Sequence, residues 1–194
     1  SENRFRTWSD TVKLTLAGVP GSGKSVLRKQ LAEHYGLEVK AVGDFMREIA
    51  GRHGYTDITK FLVEYVTHHP EVDHQVDEEQ QRFGATHDNF VLDSHIGFYF
   101  VPDSLKIRLA CDLEESARRV LGAGRTTEVA KDLTQAMQAN KEREDAMRQN
   151  FLKLYQVDIH DNRQFDLVVD TTPLSLEQVQ QKVCGFIDQQ QKES

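Results

Sequence analysis

A glycine-rich run near the N-terminus has the composition and spacing of a phosphate-binding loop. Residues 18–25 read GVPGSGKS and match the pattern GxxxxGK followed by Ser or Thr. Glycines let successive backbone N–H groups turn toward one point, where phosphate oxygens accept hydrogen bonds. Lys24 can reach the β- and γ-phosphates of a nucleotide, and the Ser25 hydroxyl can ligate Mg²⁺. The run therefore predicts a site for ATP and Mg²⁺. The predicted contact residues are Gly18, Gly21, Ser22, Gly23, Lys24, Ser25 and Val26.

Asp93 directly follows a short apolar run, residues 90–92, which predicts a buried strand. In folds with this phosphate loop, a carboxylate at the end of a neighbouring strand holds Mg²⁺ directly or through water. The alternative is that Asp93 only caps its strand. We favour the metal role because such folds place the acid beside the loop. Ser25 and Asp93 are thus the predicted metal ligands, and Lys24 and Asp93 are predicted catalytic residues.

The elements that must position these residues alternate along the chain. Short runs rich in β-branched residues are separated by longer stretches of helical periodicity. This alternation predicts an α/β fold of three layers, in which a five-stranded parallel sheet is flanked by helices. We interpret residues 1–194 as a single phosphate-loop domain. The predicted strands are residues 12–17, 38–42, 90–93, 105–110 and 165–170.

Two polar helical segments complete the pattern. The first covers residues 44–84 and is interrupted at Gly51, Gly54 and Pro70. The second covers residues 122–150, within a charge-rich stretch that we expect to be helical to about residue 156 and to bend or break. Both segments are candidates for parts that close over a bound substrate.

Composition excludes several classes of protein. The net charge of −7 disfavours nonspecific binding to nucleic acid. No apolar run approaches the roughly 18–20 residues of a membrane span, and the polar N-terminal stretch does not resemble a signal peptide. We therefore expect a monomeric cytosolic protein whose partner is a small phosphoryl acceptor, with no nucleic acid and no membrane partner.

The remaining motifs separate kinases from other phosphate-loop proteins. No NKxD motif follows a late strand, because Asn140-Lys141 lies within a helical stretch, and no DxxG follows a strand. Both absences disfavour a GTPase switch, and a motor ATPase would need more chain. A small domain with two polar helical segments is typical of a nucleoside-monophosphate kinase, in which residues 44–84 would hold the acceptor and residues 122–150 would form a lid.

The chain resembles the archaeal-type cytidylate kinase-like family, from about residue 12 to the final helix. The matching stretches are LAGVPGSGKS (16–25), VGDFMRE (42–48), HPEVDHQVD (69–77), FVLD (90–93), LKIRL (105–109), KERE (141–144), LYQVDI (154–159) and FDLVVDT (165–171). The resemblance implies in-line transfer of the γ-phosphoryl group of ATP to CMP or dCMP, without a covalent enzyme intermediate.

The resemblance also implies roles for individual residues. Arg47 would hold the acceptor phosphate, and Arg143 would come from the lid to neutralise charge on the transferring group. Asp44, Asp73 and Asp77 would line the pocket for the acceptor's base or sugar. For Asp73 and Asp77, a position on a solvated helix face is an equal alternative. Arg125 is a candidate near the lid, and so is Arg119, for which a surface position is the better interpretation.

Two positions depart from the family pattern. The family usually carries Arg at the positions of His95 and Asn150. His95 remains a predicted acceptor contact, and it could recover part of the lost charge when protonated, below about pH 6.5. Arg148 lies off the helix face that Arg143 and Asn150 would share, so it is not an obvious substitute. These departures leave two alternatives open: a kinase for another small acceptor, and a nucleotide-binding regulatory protein that has lost transfer.

Overall fold

A computed structural model describes residues 11–123 and 132–193, and within them five strands form one parallel sheet in the order β2-β3-β1-β4-β5. The predicted fold class is confirmed, and predicted strand ends differ from the observed ones by no more than two residues. The strands are β1 (Lys13–Gly18), β2 (Glu38–Ala41), β3 (Phe90–Asp93), β4 (Leu105–Ala110) and β5 (Leu167–Asp170).

Helices connect and cover these strands, and none in the described ranges has an apolar stretch long enough to span a bilayer. A π-helical turn (Phe61–Tyr65) and a 3-10 turn (Val66–His68) lie between α3 and α4, and a second 3-10 turn (Asn162–Gln164) precedes β5. The helices are α1 (Lys24–Tyr35), α2 (Val42–Arg52), α3 (Ile58–Lys60), α4 (Glu71–Thr86), α5 (Gly97–Phe100), α6 (Leu113–Gly122), α7 (Leu133–Tyr155) and α8 (Leu176–Glu193).

The sheet is buried on both faces, which explains the nearly continuous apolar sequence of its central strands. Alternate residues of a strand point to opposite faces. Val91 accordingly packs with Leu27 and Ile187 of α1 and α8. Phe90 packs on the other face, in the cluster that includes Phe45 of α2 and residues of α4. The carboxyl ends of the strands are therefore held at one edge, where nucleotides bind in open α/β sheets.

Residues 44–84 fold as α2, a run of short helical turns, and α4. The predicted break at Gly51 does not occur, because α2 continues to Arg52 before the chain turns at Gly54 with a φ of 80°. Pro70 immediately precedes α4, where its missing N–H leaves no helical bond unmade. The aromatic residues Phe61 and Phe83 pack this segment onto the sheet.

The second polar segment contains one long helix. α7 runs unbroken over 23 residues, from an N-cap in which Asp132 accepts the Gln135 N–H at 2.9 Å. The expected bend or break is therefore absent from residues 133–155. Met147 and Phe151 pack the second half of α7 against Phe98 and its neighbours. This packing positions the first half of α7 above the phosphate loop.

Candidate active site

The phosphate loop is shaped by glycines and by a close contact with α6. Gly18 ends β1, and Gly21 and Gly23 adopt φ angles of 71° and 90°, which only glycine accommodates without strain. A Cβ at Gly21 would lie 2.5 Å from the Ser116 carbonyl oxygen. The buried Ser22 hydroxyl donates to the Val19 carbonyl at 2.7 Å and closes the turn.

The N-terminus of α1 opens onto this loop. Its N-cap is Gly23, which has no side chain to accept hydrogen bonds from the first turn. The Val26 N–H donates to the Gly23 carbonyl at 3.0 Å. The first two N–H groups of the helix, those of Lys24 and Ser25, have no partner within the helix and can bind an anion, as in other phosphate sites at helix N-termini. Ser25 is half-buried in the first turn, and Val26 is exposed beside it.

A chain of buried hydrogen bonds ties α7 to the loop. The Asn140 amide donates to the Ser116 hydroxyl at 3.0 Å, and that hydroxyl donates to the Pro20 carbonyl at 2.7 Å. Asn140 and Ser116 are both buried. α7 and the phosphate loop are thus connected through the side chains of Asn140 and Ser116.

A cleft of about 430 Å³ lies over the loop, within the range of small-molecule sites. Lys24, His95, Arg119 and Arg143 converge on it, together with Asn140 and small residues of α6 and α7. Three of these four convergent side chains carry cationic groups, which suits a polyanionic ligand. The cleft therefore brings together Arg143, His95 and the predicted loop residues other than Gly18.

Asp93 lies at the end of β3, beside two cations. Its Oδ1 is 4.0 Å from the Lys24 Nζ, and its Oδ2 accepts a hydrogen bond of 2.8 Å from Arg28 Nη1. Burial lowers the pKa of Lys24, an effect that Asp93 and Glu144 only partly oppose. One carboxylate and the Ser25 hydroxyl match the few protein oxygens that Mg²⁺ takes beside phosphates. The residues present therefore fit an ATP–Mg²⁺ complex.

His95 lines the cleft as a neutral imidazole. Burial, together with the charges of Lys24 and Arg143, lowers the pKa of His95 to about 3. The expectation that His95 regains a positive charge below about pH 6.5 is therefore wrong. That expectation assumed an exposed ring, whereas the side chain is enclosed among cations.

The other departure from the family pattern, Asn150, also adds no positive charge to the cleft. Asn150 is exposed on α7. Arg148 is engaged elsewhere, because its guanidinium forms a salt bridge with Asp158. Neither Asn150 nor Arg148 lines the cleft.

Four predicted acceptor contacts lie outside this cleft. Asp44 caps α2 by accepting the Ala41 N–H at 2.8 Å, and it pairs with Arg47, which is 61% exposed. Burial alone would raise the pKa of Asp44, but these two partners lower it. Asp73 is exposed on α4, whereas Asp77 is half-buried.

Asp77 belongs to a network that joins three elements. Its carboxylate accepts hydrogen bonds from the Tyr155 hydroxyl of α7 and from the Gln80 amide of α4, the latter at 3.2 Å. Gln80 in turn accepts a hydrogen bond from the Ser94 hydroxyl at 2.5 Å. Burial raises the pKa of Asp77, although the Tyr155 hydroxyl opposes this. The network fixes α4 against the end of β3.

Sequence reasoning missed or misplaced two arginines. Arg119 is not a surface residue: it lines the cleft and donates to the Thr171 and Thr172 carbonyls at 2.9 and 3.1 Å. Arg119 forms an ion pair with Glu115, four residues before it, and such a spacing is typical of an exposed helix face. The spacing therefore did not indicate that Arg119 lines the cleft. Arg28 received no role, although its four-residue spacing from Lys24 was a usable signal. Arg125 lies outside the described residues.

Comparisons with known proteins identify the family. The AAA domain family matches residues 17–134. A cytidylate kinase from Desulfurococcus amylolyticus is 31% identical over 94% of this chain and 96% of its own length. The chain belongs to the archaeal-type cytidylate kinase-like family. It is accordingly a nucleoside-monophosphate kinase-like enzyme with a nucleotide-binding phosphate loop.

Two further proteins are similar to this chain, one in sequence and one in fold. An S-adenosylmethionine-dependent nucleotide dehydratase from Lacinutrix mariniflava is 33% identical over 86% of this chain, which spans only 34% of that relative. The solved shikimate kinase from Bacteroides thetaiotaomicron has a TM-score of 0.61 and 15% identity, over 92% of this chain and 99% of its own. That likeness shows a shared fold alone.

Proposed function

We propose that this cytidylate kinase-like protein transfers the γ-phosphoryl group of ATP to a nucleoside monophosphate, with CMP and dCMP as the preferred acceptors. The observation that carries the proposal is the convergence of Lys24 and Arg143 on the cleft above the phosphate loop, with Asp93 within 4.0 Å of Lys24. The choice of CMP is supported by the cytidylate kinase relatives that match most of the chain.

The chain's own residues supply positioning and charge in this mechanism. The loop N–H groups and Lys24 hold the β- and γ-phosphates, while Arg143 neutralises charge that develops on the transferring group. Ser25 and Asp93 would hold Mg²⁺, which supplies further charge stabilisation and orients the phosphates. An acceptor phosphate is ionised near neutral pH, so Asp93 does not need to remove a proton. Positioning for in-line attack supplies the rest.

We propose that residues 44–84 form the acceptor site and residues 122–150 the lid of a single domain. Arg47, together with His95, would contact the acceptor phosphate. Asp44, Asp73 and Asp77 would line the pocket for its base or sugar, and Arg125 would approach from the lid.

A second candidate is a kinase-like domain that binds ATP and a nucleotide but does not catalyse transfer. The neutral state of His95 and the exposure of Asn150 favour it, because both reduce the positive charge that would face an acceptor phosphate. The nucleotide dehydratase relative is also named for a nucleotide, which favours a nucleotide ligand over an acid such as shikimate.

ADP release across a panel of acceptors distinguishes these functions. We expect wild-type protein with ATP and Mg²⁺ to turn over CMP and dCMP faster than UMP, AMP or shikimate, and Lys24→Ala to be inactive. ATP binding by calorimetry provides the parallel measurement. Tight ATP binding without ADP release on any acceptor would refute the kinase and support the second candidate.

A further inference from the structure

Arg28 is a partly buried cation, bound to Asp93, that the mechanism above does not use. It lies four residues after Lys24 on α1, so the two side chains extend from the same helix face. Its Nη1 donates to the Asp93 carboxylate at 2.8 Å. Its Nε is buried and has no hydrogen-bond partner in the parts of the chain that the structure describes. Buried donors without acceptors are rare, and one at a functional site points to an absent ligand or ion.

The position of Arg28 places it between the phosphate loop and the acceptor segment. In the sheet, Asp93 is in register with Ala41, the residue immediately before α2. Neighbouring strands are about 4.8 Å apart, so the Asp93 carboxylate borders the start of α2. Arg28 and Lys24 thus both lie beside a carboxylate that adjoins the start of α2. An acceptor held by residues 44–84, as proposed above, would present its phosphate near this carboxylate.

The other candidate side chains supply little positive charge to face an acceptor phosphate beside Asp93. His95 is neutral, Asn150 is exposed, and Arg148 is bound to Asp158. Arg47 is held by Asp44 and is largely exposed. Arg28, by contrast, is only 24% exposed, and a guanidinium presents several N–H donors in a fork that matches phosphate oxygens.

We propose that Arg28 binds the phosphate of the acceptor nucleotide and replaces the arginines that the family pattern places at His95 and Asn150. This inference rests on the proposed function, because it requires a phosphorylated acceptor. In the ligand-free protein the guanidinium is held by Asp93. Asp93 would hold Mg²⁺ when the metal is bound. The guanidinium would then be free to donate to acceptor phosphate oxygens instead of this carboxylate, and the Nε donor would gain an acceptor. Arg28 is then a specificity-determining residue for monophosphates.

Kinetics of Arg28 variants test the contact. We expect Arg28→Met, which keeps the apolar stem, to raise the KM for CMP about ten- to a hundredfold and the KM for ATP less than threefold. Arg28→Lys should recover part of the CMP affinity. Arg118→Met is the matched control, because Arg118 is exposed on α6 and its ion pairs within residues 11–123 and 132–193 are with Glu114 and Glu115. Thermal unfolding of each variant confirms that it is folded.

Binding of CMP without ATP and Mg²⁺, measured by calorimetry, tests the exchange independently of turnover. Removing the carboxylate charge with Asp93→Asn should release the guanidinium and tighten CMP binding about three- to tenfold. The double variant Asp93→Asn with Arg28→Met should lose this gain. A gain that persists without Arg28 would overturn the inference.

The outcomes also separate this inference from the proposed function. Normal wild-type turnover of CMP with an unchanged KM in Arg28→Met overturns the inference alone. A raised KM for ATP with an unchanged KM for CMP also overturns it, since Arg28 would then serve only to orient Asp93. Wild-type protein that releases no ADP with CMP, dCMP, UMP or AMP overturns the proposed function and the inference together.

Discussion

Replacing Gly21 by alanine tests whether contact with α6 holds the phosphate loop in its binding shape. The new Cβ would lie 2.5 Å from the Ser116 carbonyl oxygen, about 0.9 Å inside ordinary contact at 3.4 Å. The position of a Cβ is fixed by its own backbone, and the Ser116 oxygen is a backbone atom, so no side-chain rotation can separate the two. The φ of 71° adds about 1–2 kcal/mol for a residue with a Cβ. Overpacking adds about 1–3 kcal/mol, so we expect the free energy of unfolding to fall by about 2–5 kcal/mol.

Gly36→Ala is the matched control. Gly36 has nearly the same φ, 68°, but no atom lies within 4 Å of an added Cβ. It should therefore lose only about 1–2 kcal/mol for backbone strain. Urea unfolding gives both free energies, and calorimetry gives the affinity for ATP with Mg²⁺.

ATP affinity separates the two variants more sharply. To relieve the clash at Gly21, the backbone N–H groups of the phosphate loop must move by a sizeable part of an ångström. A displacement of about 1 Å in the groups of an active site can lower the reaction rate about a hundredfold, and we take this as the scale of the loss in ATP affinity. We expect Gly21→Ala to weaken ATP binding to that extent and Gly36→Ala to leave it unchanged. Equal stability losses with equal ATP affinities would refute the argument that α6 shapes the loop.

Four further predictions concern catalysis, pH and motion. Lys24→Ala should lower the rate of ADP release by a hundred- to a thousandfold, about 3–4 kcal/mol, with an unchanged far-UV spectrum; retained activity would contradict the loop assignment. Because the pKa of His95 is about 3 in the folded state, below its unfolded value of about 6.5, protonation favours the unfolded chain as pH falls through 6.5. Wild-type protein should therefore lose about 1–2 kcal/mol more stability between pH 7 and pH 5 than His95→Gln, and equal losses would contradict a neutral buried ring. In the Arg28→Met background, where the proposed phosphate contact is missing, His95→Arg with Asn150→Arg should lower the KM for CMP about ten- to a hundredfold while reducing stability, since one new cation adjoins Lys24; an unchanged KM there would show that neither position faces the acceptor phosphate. Amides in residues 44–84 and 122–150 should exchange more slowly with ATP and CMP bound, and equal exchange in both states would argue against closure.

Much of the catalytic scaffold was predictable because it is specified by neighbouring residues. The loop conformation depends on glycines within residues 18–25, and the strand of Asp93 follows from three consecutive apolar residues. The cap of α6 by Asp112 is equally local: its carboxylate accepts the Glu115 N–H at 2.7 Å. Such features need only backbone geometry and a short stretch of chain, so a linear pattern contains them.

The errors concern residues whose environment is built from distant segments. His95 was expected to titrate near its ordinary pKa, but α7 and the phosphate loop enclose it with Arg143 and Lys24. Arg119 was expected on the surface, yet carbonyls 52 and 53 positions away accept its hydrogen bonds. No periodicity within a single helix reports on such partners.

The sequence by itself determined the phosphate loop, the five strands and the family, because short-range geometry and apolar runs specify them. Only the tertiary structure decided the charges around Asp93. Arg28 and Asp93 are 65 residues apart and meet because β1 and β3 pair in parallel and α1 follows β1. Burial then sets which groups are charged, through the free energy of removing them from water. That free energy depends on every segment packed around the site, so it has no counterpart in the linear order of residues.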